Sequence, residues 1–284
     1  MSTLRSSAPV SSGSFVKRYQ VLLFFILAFL LSWLVWETYI LEQQGRISFH
    51  LPDSFFAYFA LTAAVLIVAA LAGGRAAITE LWQRLIRWRV DVQWYVLALL
   101  VPILLAAISA VVSSLLGSSV PTGIAMSLGG AVSYFFLFGA KLWITEELAW
   151  RGFVLPRLQA RMSALPAALL LGLLWGVWHT PLFLINGTGQ STWPYLGFVL
   201  FAMADSVLVS WIFNNTHGSI LLVTIFHAAT DAALSFSGVL SGDQSAFWIT
   251  VVIHVIAAVV VVVVEGATYL SRAHAADPAI KTGL

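Results

Sequence analysis

Six residues on three apolar stretches have the types that hydrolysis and proton transfer use. Glu146, Glu147 and Arg151 share one stretch, His179 closes the next, and His227 with Asp231 occupies a third. An ionisable side chain inside a membrane span costs about 2.5–3.5 kcal/mol on insertion scales, so such residues are functional candidates by default. Spacing sorts them. Glu147 and Arg151 stand at i,i+4 and can pair on one helix face. Adjacent helical residues point about 100° apart, which leaves Glu146 on a neighbouring face, free to meet the histidines. His227 and Asp231 are also at i,i+4 and can address one centre.

A carboxylate beside neutral imidazoles can take a proton from water and deliver hydroxide to a carbonyl. Glu146, His179, His227 and Asp231 could instead hold a divalent metal such as Zn, which would acidify the water directly. No HExxH motif is present and no serine has a base partner, which disfavours those two proteolytic routes. The remaining ionisable residues within spans read differently. Glu37 and Glu265 lie near span ends. His254 stands alone among Val, Ile and Ala and reads as a hydrogen-bonded packing histidine. Lys141 and Asp205 pair across helices or line a polar cavity, with no role assigned to either.

These groups need elements to hold them, and composition says which. Of 284 residues, 60% are hydrophobic and 9% charged, far below the roughly 25% charge of a soluble domain. Apolar runs over about 20–41, 54–72, 93–115, 129–154, 165–185, 194–213, 218–239 and 247–270 predict an all-α polytopic bundle of about eight transmembrane helices. Residues 1–15 read as a flexible tail, 16–272 as one membrane domain and 273–284 as a second tail. The first run is too long for a signal-peptide core and reads as a retained span. Within the domain, 74–90 carries Arg75, Arg84, Arg87 and Arg89, with Ile78, Leu81, Trp82, Leu85 and Trp88 at helical spacing, the pattern of a basic amphipathic helix on the membrane surface.

With both termini cytoplasmic, twelve of the 14 Lys and Arg fall on the inner side, Arg46 falls outside and Lys141 lies within a span. That is the bias the positive-inside rule demands. Counting rise from the inner ends puts Glu146 and His227 each about 13–14 Å deep and His179 about 20 Å deep. The three groups therefore meet at neighbouring depths, in a site expected to open towards the cytoplasm. Pro181 predicts a kink after His179, whose freed carbonyls would need a polar cavity. The chain has no cysteine, which excludes disulfides, thiolate metal sites and a cysteine nucleophile.

The ordered motifs Glu146-Glu147-xxx-Arg151, Trp175-xxx-His179 and His227-xxx-Asp231 resemble those of the CPBP family. These are the type II CAAX prenyl proteases and bacteriocin-processing enzymes, also called the Abi family, and the resemblance covers most of residues 70–240. It implies an intramembrane endopeptidase cutting near the C-terminus of a peptide, typically after a lipidated cysteine in eukaryotic members. Carried onto this chain, Glu146 and His179 would activate water, Glu147 and Arg151 would organise the site, and His227 with Asp231 would polarise the carbonyl or bind metal. Glutamate-dependent and metal-dependent chemistry both stay open. Trp175 stands where the family commonly has Phe, and Asp231 where it usually has Asn. An amide can donate to an oxyanion, whereas an ionised carboxylate repels it, so Asp231 must carry a proton, orient His227 or bind a metal.

The function expected is therefore a membrane peptidase acting on a peptide or lipidated-protein substrate among membrane lipids, with no nucleic acid, in a bacterial cytoplasmic membrane. Two other classes use the same residues: a non-catalytic immunity or scaffold protein, and an ion-coupled carrier. The carrier would show inverted repeats with broken helices, and the sequence has no such symmetry.

Overall fold

The computed structural model describes residues 12–51, 55–120 and 127–272. These form a helical bundle with no strand among them. In chain order the α-helices are α1 (Ser12–Gln43), α2 (Phe55–Leu85), α3 (Val92–Leu115), α4 (Leu128–Ile144), α5 (Leu155–Gln159), α6 (Ala164–Trp178), α7 (Tyr195–Asn215), α8 (Ile220–Ser237) and α9 (Gln244–Glu265). A π-helical segment, Leu148–Val154, joins α4 to α5. Residues 12–15, assigned to the tail by sequence, already belong to α1. The rest of that tail and the tail at 273–284 lie outside the described residues.

Seven stretches are long and apolar enough to cross a membrane, with Leu128–Gln159 counting as one. The protein is thus a multi-pass integral membrane bundle, and α6 accounts for the difference from the expected eight spans. The run over 165–185 predicts a full crossing, but α6 stops at Trp178 after 15 residues, about 22 Å of rise. Pro181 explains the stop, because it has no N–H to return to the preceding turn. The chain continues as a 3₁₀ turn, Thr180–Phe183.

The basic amphipathic stretch is continuous with the second span. α2 turns sharply at Gly74 (φ 58°, ψ −144°) and runs on to Leu85, a backbone conformation that suits glycine because it has no Cβ. Beyond the bend Leu81 and Leu85 are buried, while Trp82, Ile86 and Trp88 are exposed. Hydrogen bonds define the two ends of the bundle. At one end Arg87 donates to the His217 carbonyl, Arg157 to Gln20 and Arg161 to the Arg18 carbonyl. At the other, Asn186 N–H donates to Gln43, Ser119 N–H to Asp243 and Trp193 to the Leu240 carbonyl.

α7 and α8 are the interior helices: 83% and 61% of their apolar windows are buried, against 22–33% for the other five spans. Capping fixes where several helices start. Ser127, Ser219 and Asp243 accept the N–H groups of Gly130, Leu222 and Ala246, each satisfying a donor that the first turn leaves free. α6 and α7 pack backbone against backbone at Gly172, where a Cβ would stand 2.6 Å from Met203 Cα and 2.7 Å from the Ala202 carbonyl oxygen.

Candidate active site

The stretch carrying Glu146 and Glu147 is not one straight helix. α4 ends at Thr145 (φ −113°, ψ −86°), and the seven residues Leu148–Val154 are π-helical and fully buried. π-segments are rare and tend to occur at functional sites, because they re-aim side chains at a cost in backbone geometry. Pro156, which cannot donate to the turn before it, disfavours an ordinary α-helix there.

That geometry changes which glutamate meets which partner. Glu147 accepts from Arg151 Nη1 at 2.9 Å, as the spacing predicts. The same Oε1 also accepts from His227 Nδ1 at 2.6 Å. Glu146, expected to meet the histidines directly, accepts instead from Trp175 Nε1 at 2.8 Å. Glu147 is therefore the carboxylate tied to both Arg151 and His227, and Glu146 keeps Oε1 free to act. Trp175, which stands where the family commonly has Phe, is a hydrogen-bond donor to the site.

Two hydrogen bonds settle ring tautomers. His179 Nδ1 lies 2.9 Å from the Trp175 carbonyl. A carbonyl only accepts, so Nδ1 carries the proton and Nε2 of the neutral ring is a free acceptor. His227 Nδ1 faces a carboxylate and carries its proton for the same reason, which turns Nε2 towards Asp231 Oδ2 at 3.7 Å. The carbonyls freed where α6 ends are met by protein groups rather than by a polar cavity. Trp178 O accepts from Trp33 Nε1 at 2.9 Å and Val177 O from Thr180 Oγ1 at 2.6 Å.

Glu146, His179, His227 and Asp231 line one cavity of about 530 Å³, whereas Glu147 and Arg151 lie fully buried behind it. Tyr58 and Tyr134 complete its wall. No sequence signal singled them out, since an isolated Tyr in an apolar run carries no spacing pattern. Lys141 and Asp205 do not pair. The Lys141 ammonium lies 3.5 Å and 3.6 Å from the Tyr58 and Phe138 ring centroids. It is buried, and its charge acts on Glu146 and Asp231. His254 donates to the Thr250 carbonyl at 2.8 Å within α9, as a packing histidine should.

The cavity runs to Gln190 and Trp193 after α6 and to Leu240 and Ser241 after α8, the end away from the Arg87, Arg157 and Arg161 contacts. Depth counting placed Glu146, His179 and His227 at neighbouring levels, and the three line one cavity.

A metal requires several donors converging on one point. Among the described residues no three His, Asp or Glu side chains come together in that way. Glu146 is turned to Trp175, and although both histidines donate through Nδ1 and keep Nε2 available, as metal-ligating imidazoles do, their Nε2 atoms and the carboxylates do not converge on one point. The four residues named from sequence do not fit a metal in this arrangement.

Residues 128–233 match the family model described as type II CAAX prenyl endopeptidase Rce1-like. Over 88 residues the chain is 36% identical to CAAX prenyl protease 2 of Methanococcus maripaludis, a match covering 29% of this chain and 32% of that protein. The chain thus spans about a third of the length of this curated relative.

Proposed function

We propose that this protein, which through residues 128–233 belongs to the Rce1-like family of type II CAAX prenyl endopeptidases, hydrolyses a peptide bond within the membrane by a glutamate-activated water. The observation that carries the reading is that Glu146 and His179 line the same cavity. Trp175 holds one oxygen of Glu146, and the imidazole that acts on Glu146 most strongly is His179, whose Nε2 is a free acceptor. A water between them has two acceptors to hold it.

Glu146 takes a proton from that water as its oxygen attacks the carbonyl carbon. The carbonyl π pair moves to oxygen and forms a tetrahedral oxyanion. His227 Nε2, when it carries a proton, is the donor that meets this oxyanion, and Asp231 at 3.7 Å is the acceptor that holds the proton until substrate arrives. Glu147 and Arg151 fix the ring from the other side. The intermediate collapses, the C–N bond breaks, and Glu146 returns its proton to the leaving amine. Preorganised donors of this kind are worth about 2.7–4 kcal/mol of transition-state stabilisation each. The substrate proposed is a membrane-associated peptide, prenylated near its C-terminus, as the name of the relative suggests, and the membrane proposed is the bacterial cytoplasmic membrane.

The test compares wild type with Glu146→Gln on matched prenylated and unprenylated peptides, with and without chelator. The amide oxygen still accepts from Trp175, so the fold is kept. The expected result is a loss of kcat of about 10²–10⁴, the typical share of a general base, with wild-type cleavage unaffected by chelator. Full turnover by Glu146→Gln would overturn the assignment, and chelator sensitivity would replace the glutamate mechanism with a metal one.

A further inference from the structure

Two cavities adjoin at the end of the bundle where α2, α5 and α7 finish. One, of about 420 Å³, is lined by Arg84, Gln159, Asn214, His217 and Gly218. The other, of about 340 Å³, shares Gln159 and Asn214 with it and reaches Arg161. None of these residues lines the cavity that holds Glu146. Arg84 spends Nε and Nη2 on Glu80, at 3.2 Å and 2.8 Å. Its Nη1 lies against Gly218, where a Cβ would stand 2.7 Å away. Arg87, Arg157 and Arg161 donate only to neutral oxygens: the His217 carbonyl, the Gln20 amide with the Phe153 carbonyl, and the Arg18 carbonyl. Four guanidinium groups thus gather at one end, and among the described residues a single carboxylate, Glu80, is paired to them. Gln159 adds an amide nitrogen that is buried with no hydrogen-bond partner among the described residues, an arrangement that calls for an acceptor. The level of the cavities follows from the stretch of α2 beyond its bend. Leu81 and Leu85 are buried there, while Trp82 and, just past the helix, Trp88 are exposed. Exposed tryptophans on an amphipathic stretch mark the headgroup level of a bilayer.

We propose that these adjoining cavities bind the phosphate of an anionic phospholipid headgroup. Arg84, through Nη1, and Arg161 are the cationic donors, and the Gln159 amide is the neutral one. Guanidinium groups match phosphate oxygens in geometry as well as charge, and basic pockets between helices on the cytoplasmic side take such headgroups. The positive-inside bias favours that side for this end of the bundle. Glu80 limits the affinity by occupying two of the Arg84 donors. The site shares no residue with the peptidase reading and goes beyond it.

The test is native mass spectrometry of the full chain in neutral detergent, titrated with phosphatidylglycerol, phosphatidylcholine or inorganic phosphate. An arginine beside an anionic lipid contributes about fivefold in affinity. Arg84→Gln and Arg161→Gln are each expected to weaken phosphatidylglycerol binding by about that factor, and the double variant by about the product of the two. Arg46→Gln, just beyond Gln43 at the opposite end, should leave binding unchanged. Glu80→Gln frees Arg84 Nε and Nη2 and should tighten it, and added salt should weaken it in wild type. Arg161 is exposed, so its variant keeps the fold even where Arg84→Gln does not, and unfolding midpoints without added lipid check both. Equal affinity for phosphatidylglycerol and phosphatidylcholine overturns the proposal, as does a loss in Arg161→Gln no larger than that in Arg46→Gln. Inorganic phosphate binding as tightly as phosphatidylglycerol would overturn the lipid assignment in favour of the free anion.

Discussion

Arg151 is a large side chain with no exposed surface, joined at 2.9 Å to an equally buried Glu147. Replacing it by Met keeps much of the volume and removes the charge. Glu147 then keeps only the His227 contact at 2.6 Å, and its second oxygen has no partner among the described residues. Breaking one side of a buried ion pair costs about 3–5 kcal/mol, because the other charge is left uncompensated. That is a large share of a total stability of about 5–15 kcal/mol. Adding Glu147→Gln to Arg151→Met removes the stranded charge and keeps an acceptor for His227, so the double variant should be more stable than Arg151→Met alone. The assay is reversible unfolding in detergent or bicelles for the two single variants and the double. If Arg151→Met and the double variant unfold at the same denaturant concentration, the pair does not hold the segment in the way its geometry implies.

Other consequences are as direct. Gly172→Ala places a Cβ against backbone atoms of α7 at 2.6–2.7 Å, and overpacking of this kind costs about 1–3 kcal/mol, readable as a lowered unfolding midpoint. Lys141→Met removes the buried cation whose charge acts on Glu146 and Asp231 and should lower kcat/KM and the unfolding midpoint together. Asp231→Asn in that background should recover part of the midpoint, and a midpoint left unchanged by Lys141→Met would refute the compensation. At the membrane edge, the N–H groups of Ser119 and Ala246 hold the Asp243 carboxyl below its ordinary value. A lowered folded pKa means that this contribution is present above the unfolded value of about 3.9 and is lost as pH falls through the folded value. Hydrogen-exchange protection factors at Ser119 N–H and Ala246 N–H should therefore fall on acidification, and Asp243→Asn should flatten that dependence.

The membrane bundle was legible because hydropathy and charge bias act over whole helices, and Glu147–Arg151 because i,i+4 spacing is local. The partner of Glu146 was not. The break at Thr145 and the π-segment after it rotate the two glutamates relative to an ideal helix, and single-residue spacing cannot register a change in residues per turn. The truncation of α6 was half visible: Pro181 announced a disturbance, but apolar residues beyond it disguised an end as a kink. Tyr58 and Tyr134 reach the site through tertiary packing, for which one sequence offers no periodic trace.

The shortness of α6 has a consequence for the surrounding lipid. Its outer face is apolar, with Leu170 and Leu173 partly exposed. Yet its rise of about 22 Å falls short of a hydrocarbon slab of about 30 Å. Acyl chains beside α6 must shorten or tilt where the helix ends, and such hydrophobic mismatch costs fractions of a kcal/mol per Å. A slab that thins beside α6 would leave less oil beside the cavity-lining Gln190 and Trp193 than beside any of the full-length spans.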